Sequence, residues 1–305
     1  MIVRDNMSVW TTLTTLTGSV LPQVTPKVLF MSAWATIVVA IHAFGWATFV
    51  SINPAALTLL GAILAIATGF RNSAAYDRWW EARKLLGLVV IDTRSLARLS
   101  SNYIVGPDDG MQRRMALRCI AFGQVLADFL RGLPIREETA KYLPPDECHA
   151  LKNSRNGPNR LLDFFSRDIA QAVGAGRLAP EIALAFEDRV ASLSVGSASA
   201  ERTKTTPIPF IYSLGIHRVC YIFCFLLPLG LTETNRYWTI LLTAIISYSF
   251  FGLDAIGEEM SKPFSRSPHA LPLDAIATVI EINILQSLGD EDVPAWPKPT
   301  RFVLN

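Results

Sequence analysis

Between Lys27 and Arg71 the chain runs for 43 residues without a Lys, Arg, Asp or Glu. A helix of about 20 residues crosses the ~30 Å hydrocarbon core of a bilayer, so this gap holds two spans and a turn. Ser51-Ile52-Asn53-Pro54 supplies the turn, because Asn and Pro favour one and Pro is accepted at a helix start. The first span is predicted at about 28–50 and the second from near Pro54. The N-terminus lacks the closely following apolar segment and small-residue cleavage site of a signal peptide.

A second apolar block follows residue 205. Ile208 to Thr232 reads as a third span, interrupted by His217-Arg218, and Tyr237 to Leu253 as a fourth that can run on through Ile256. Thr234-Asn235-Arg236 joins them. The chain thus divides into a segment 1–27, two spans over 28–70, a polar region 71–207, two spans over 208–256 and a C-terminal segment 257–305. Four spans put both termini on one side. The segment 71–207 carries 20 of the 28 basic residues, and the positive-inside rule places it in the cytoplasm with both termini. The expected location is the cell inner (plasma) membrane, with multiple passes.

Composition removes other classes. Half of the 305 residues are hydrophobic and 18% are charged, which excludes a disordered chain. A net charge of +2 gives no footprint for nucleic acid. Cys119, Cys148, Cys220 and Cys224 form no C-x-x-C, so no disulfide framework or zinc module is expected. No cofactor motif is present.

The polar region reads as helical. Residues 76–102 and 111–131 place Leu, Ile, Val and Ala at spacings of three and four among charges. Gly106 to Gly110 is a loop, Pro144-Pro145 and Asn153 to Pro158 are breaks, and Leu161–Ala175 and Pro180–Leu193 are further helices. The segment 194–207 reads as a connector. A helix is predicted from about Leu273 to Leu288, and Pro294 to Pro299 is extended. No period-two pattern persists, so the fold class is an all-α membrane protein.

The densest stretch is Phe70-Arg71-Asn72-Ser73-Ala74-Ala75-Tyr76-Asp77-Arg78-Trp79-Trp80-Glu81-Ala82-Arg83-Lys84. It reads as a helix leaving the membrane. Trp79 and Trp80 suit an interfacial belt or a subunit contact, Arg71 and Arg78 suit headgroups, and Asp77 and Glu81 can pair with Arg78, Arg83 or Lys84 at helical spacing.

This stretch resembles the bestrophin family in its bacterial branch. Ile208-Pro209-Phe210-Ile211-Tyr212, Leu253 to Glu259 and Leu271-Pro272-Leu273-Asp274-Ala275-Ile276 agree with it in the same order, and together they cover most of the chain. The resemblance implies an ion channel: a homopentamer in the lipid bilayer, with four membrane helices and a helical cytosolic region per subunit around one central pore. It implies a narrow neck on the second membrane helix, with side chains at i, i+4 and i+8 ending in the Phe after a Gly. Here those are Ala62, Ile66 and Phe70, a spacing that puts them on one helix face. Five helices about 9–10 Å apart make a ring of radius roughly 8 Å. Removing a helix radius of about 5 Å leaves roughly 3 Å, an ionic dimension. Ala62 departs from the larger apolar residue the family prefers, so Ile66 and Phe70 are the expected tight rings. A second, cytosolic constriction is implied in the helix after Pro180, with Ile182 as the candidate.

Eukaryotic members are gated by calcium through an acidic cluster after the Pro-Phe that follows the fourth span. Here Pro263-Phe264 is followed by Ser265-Arg266-Ser267-Pro268-His269-Ala270, which has no carboxylate. Calcium takes six to eight oxygen ligands, so no calcium activation is expected through this run. Asp290-Glu291-Asp292 reads first as a solvated acidic tail, with cation binding the second reading. No metal is expected elsewhere, and no cofactor. The apolar neck carries no sign, and resemblance to the bacterial branch favours monovalent cations, with chloride and other anions a close second.

Polar residues inside the spans have structural readings. His42 and the pair Cys220/Cys224 suit contacts between helices. Arg218 needs Glu233, Asp254 or a backbone carbonyl as partner. An intramembrane enzyme would need a nucleophile–base pair or a metal motif, and none of the known motifs occurs. A membrane-anchored scaffold or receptor with a partner-binding helical region stays open on sequence alone. A secondary transporter is disfavoured, because the halves show no inverted pair of broken helices.

Overall fold

The structure, a computed structural model, describes residues 1–4, 10, 15–16, 18–44, 52–106, 110–234 and 238–304, apart from the side chains of Glu233 and Thr234. The expected end of the first span at 45–50, the turn residue Ser51, the loop core 107–109 and the connection 235–237 lie outside them.

Nine α-helices are described: α1 (Leu21–Ala43), α2 (Pro54–Tyr103), α3 (Met111–Arg131), α4 (Pro145–Lys152), α5 (Gly157–Gly174), α6 (Pro180–Thr205), α7 (Phe210–Thr234), α8 (Thr239–Met260) and α9 (Leu273–Leu288). A 3-10 turn covers Glu137–Tyr142. Among the described residues the only β pairing is in isolated bridges, Ile2 with Val303 and Thr300 with Val303. The chain divides into two compact units, an apolar one from Arg4–Trp79 with Pro207–Lys262, and a polar one from Met1–Val3, Trp80–Thr206 and Pro263–Asn305.

Four helices are long and apolar enough to cross a membrane: α1, α2, α7 and α8. In the apolar unit α1 packs along α8 and α7. Val24, Met31, Leu64, Phe223, Cys224 and Phe251 form the centre of its core. Helices in lipid gain little from hydrophobic transfer, so close packing and polar contacts hold them. Both occur here. A Cβ at Gly61 would stand 3.0 Å from Phe223 Cζ, so the missing side chain lets α2 approach α7. Trp34 stacks on Phe225 at 4.5 Å and donates from Nε1 to its carbonyl at 2.9 Å.

The helix of the second span runs on beyond residue 70. α2 continues unbroken through Arg71 to Tyr103, 50 residues in all. The stretch 71–76 contains no Pro or Gly, and its Ala, Arg and Asn continue a helix once the charges find partners.

In the polar unit α3 is the central helix and packs against α9, α5, the 3-10 turn and α6. Arg118 on α3 is fully buried. It donates from Nε to Glu147 at 3.0 Å and from Nη1 to Asp168 at 2.9 Å, and lies over the Phe165 ring. Two carboxylates offset its desolvation. The segment 194–205 is helix, not connector, because its small residues form a contact face: Gly196 lies against Val89 of α2. Asp92 of α2 accepts from Arg189 at 3.1 Å and from Ser192. The described residues after Pro294 form no helix, and this segment returns to the first residues of the chain, where Val3 N–H donates to the Phe302 carbonyl at 2.9 Å.

Candidate functional site: the exposed face of α2

The first half of α2 has two faces. Leu57, Leu64, Thr68, Arg71 and Ala75 fall at spacings of seven, four, three and four, and all are buried. On the opposite side Ala62 is exposed, Ile66 is 61% exposed and Phe70 is 68% exposed. Leu59 and Ile63 add to this apolar surface. Three of the four candidate site residues therefore share one face of one helix in the apolar unit. Gly69, before Phe70, has nothing within 4 Å of its would-be Cβ, so this side is open. Ile182 sits in the first turn of α6 in the polar unit and is half-buried.

The buried face shows what the motif around residue 70 does. Arg71 donates from Nη1 to Asp254 Oδ1 of α8 at 2.7 Å, and its other terminal nitrogen reaches the Asp254 carbonyl. His217 Nδ1 of α7 lies 2.6 Å from Asp254 Oδ2. Asn72 donates to the Leu253 carbonyl at 2.9 Å, and Arg78 Nε to the Ser261 carbonyl at 2.9 Å. Gly257 makes room for this arrangement: a Cβ there would overlap Asn72 Oδ1 and lie 2.7 Å from Arg71 Nη2. A guanidinium in a membrane helix must face protein or water, and here one carboxylate and one carbonyl receive it.

Several sequence expectations change accordingly. Arg71, 2% exposed, binds the carboxylate and carbonyl of Asp254 on α8 and not headgroups, and Arg78 donates to the carbonyl of Ser261 just past the end of α8. Glu81 pairs with Arg202 of α6 at 3.0 Å and not along its own helix. Arg218 is exposed and has no partner among the described residues; Arg71 and His217 hold Asp254 instead, and the Glu233 side chain lies outside them. Asp290 is not free in solvent, because Arg113 grips both its oxygens at 2.9 Å. The Arg71–Asp254 pair was not predicted. Its signal was present: Arg71 falls in the buried stripe of α2, seven residues from Leu64, and a charge there requires an opposite one.

Among the described residues no group of three or more His, Cys, Asp or Glu could hold a metal ion. The run Ser265–Ala270 is a chain of tight turns in which the Leu271 N–H donates to the Pro263 carbonyl at 2.8 Å.

Comparison with known proteins identifies the family. The family described as Bacterial/Fungal Bestrophin protein matches residues 1–286. The voltage-dependent anion channel-forming protein YneE of Escherichia coli K12 is 36% identical over 286 residues, 93% of either chain. The voltage-dependent anion channel-forming protein mll4386 of Mesorhizobium japonicum is 34% identical over 290 residues, 95% of this chain and 93% of its own. A crystal structure of a bacterial bestrophin homolog from Klebsiella pneumoniae superposes with a TM-score of 0.82 at 32% identity, covering 87% of this chain and 98% of its own. The chain therefore belongs to the bacterial and fungal bestrophin family, a family of ion channels and not of enzymes.

Proposed function

We propose that five copies assemble around one axis, with the exposed face of α2 turned inward, and conduct monovalent ions passively. The observation that carries this reading is the unpartnered apolar stripe of Ile66 and Phe70, opposite a stripe that is fully packed. Apolar rings of roughly ionic radius gate by wetting and dewetting. Ile66 and Phe70 form the two narrow rings, and Ala62 leaves a wider entrance above them. Ile182 forms a second constriction in the cytosolic region. The polar unit and both termini lie in the cytoplasm beneath the inner membrane, as the distribution of basic residues directs.

Cations are favoured over anions. Anion conduction is the second reading, supported by the names of the relatives from Escherichia coli and Mesorhizobium japonicum. Conduction does not depend on calcium bound at Ser265–Ala270, which offers no carboxylate.

Single-channel recording of purified protein in planar bilayers tests the neck. Ile66→Ala and Phe70→Ala each raise conductance or open probability. Unchanged currents from intact pentamers would remove these residues as the neck.

A further inference from the structure

We infer that Asp77 is the residue that selects the sign of the permeant ion. The inference rests on the reading of α2 as the pore helix. Asp77 follows Phe70 by seven residues on an unbroken helix. Seven residues are two turns less about 20°, so Asp77 falls on the same face as Phe70, about 10.5 Å further along the axis. Ser73 lies between them on that side and is exposed and uncharged.

The other charges of α2 next to the neck are committed elsewhere. Arg71 is on the opposite face, 2% exposed and paired with Asp254. Arg78 is half-buried and donates to the Ser261 carbonyl. Asp77 is exposed, and no described residue gives its carboxylate a hydrogen bond or ion pair. The next charge at the same heptad spacing is Lys84, another seven residues on. An ion leaving the apolar rings toward residue 77 therefore meets a negative ring first. Five carboxylates about 10.5 Å past the last apolar ring, one Debye length at 0.1 M salt (~10 Å), concentrate cations there and repel anions. Rings of Asp or Glu serve this purpose in cation channels.

The test is the reversal potential across a KCl gradient, read for the wild type, Asp77→Asn, Asp77→Glu and Asp77→Lys, with Ile66→Ala recorded in parallel. The wild type prefers potassium, and Asp77→Glu keeps that preference. Asp77→Asn lowers the potassium-to-chloride permeability ratio several-fold, and Asp77→Lys inverts it. The Asp77→Asn effect shrinks in 1 M salt, where the Debye length is about 3 Å. Should Ile66→Ala raise the current while the Asp77 variants leave the reversal potential of intact oligomers unchanged, this inference falls and the neck stands. An unchanged current in Ile66→Ala overturns the neck and this inference with it. A wild type that prefers chloride overturns the role of Asp77 directly.

Discussion

Arg71 and Asp254 stand 183 residues apart in sequence and meet at 2.7 Å, with side chains 2% and 3% exposed. The pair joins α2 to α8. Removing one partner of a buried ion pair leaves the other uncompensated and costs about 3–5 kcal/mol, whereas replacing both with apolar groups is often close to neutral. Arg71→Ala and Asp254→Ala are each expected to lower the melting temperature of the detergent-solubilised protein sharply. The double variant Arg71→Met with Asp254→Leu recovers most of the loss. A double variant as unstable as the sum of two single variants would contradict the pairing.

Gly257 is tied to the same contact. A methyl group there overlaps Asn72 Oδ1 and crowds Arg71 Nη2. Gly257→Ala is therefore destabilising even though Ala gains about 1 kcal/mol of helix propensity over Gly. Gly252, on the same helix, has nothing within 4 Å of its would-be Cβ. Thermal melts of the two variants separate these cases: Gly257→Ala falls and Gly252→Ala does not.

Thiol labelling checks burial in both units. Cys119, Cys220 and Cys224 are buried, and Cys148 at the surface of α4 is half-buried. Folded protein is expected to take one maleimide per chain, at Cys148, and four after denaturation. Burial first, then the neighbouring Glu147 and Asp146 against Lys152, push the Cys148 thiol up, so its labelling keeps accelerating as pH rises past 9. Labelling that survives in Cys148→Ser would show a second accessible thiol.

Acid sensitivity of the polar unit is expected at Asp274, in the first turn of α9. Burial opposes its ionisation, but hydrogen bonds from Arg131 and Arg136 outweigh that and hold its carboxyl below the usual value of 3.8. A carboxylate depressed in the folded state contributes stability above its unfolded value and loses it as pH falls through the folded one. Melting temperature should therefore drop below about pH 4 in the wild type. Asp274→Asn is less stable at neutral pH and shows a shallower acid limb. Parallel acid limbs in the two proteins would place the sensitivity elsewhere.

The membrane character of the chain was legible in its charge gap, because the bilayer sets the length of a span. The face shared by Ala62, Ile66 and Phe70 followed from helical spacing once the family resemblance singled out those positions. Partners were harder to read. Arg71 looked like a headgroup anchor because its carboxylate lies on α8, far away in sequence. The helix at 194–205 looked like a linker because Ser, Gly and Ala are also the residues that let two helices touch, as Gly196 does against Val89. Ile182 shows the limit from the other side: a half-buried isoleucine in a first turn has the same local pattern whether it packs a core or narrows a passage.

The most direct measurement is a single-channel recording of the purified oligomer across a KCl gradient, made side by side for the wild type and Ile66→Ala. The account predicts passive current in both, larger in Ile66→Ala, with a wild-type reversal potential on the potassium side of zero selectivity. Silence in both proteins, from oligomers shown to be intact, would contradict it.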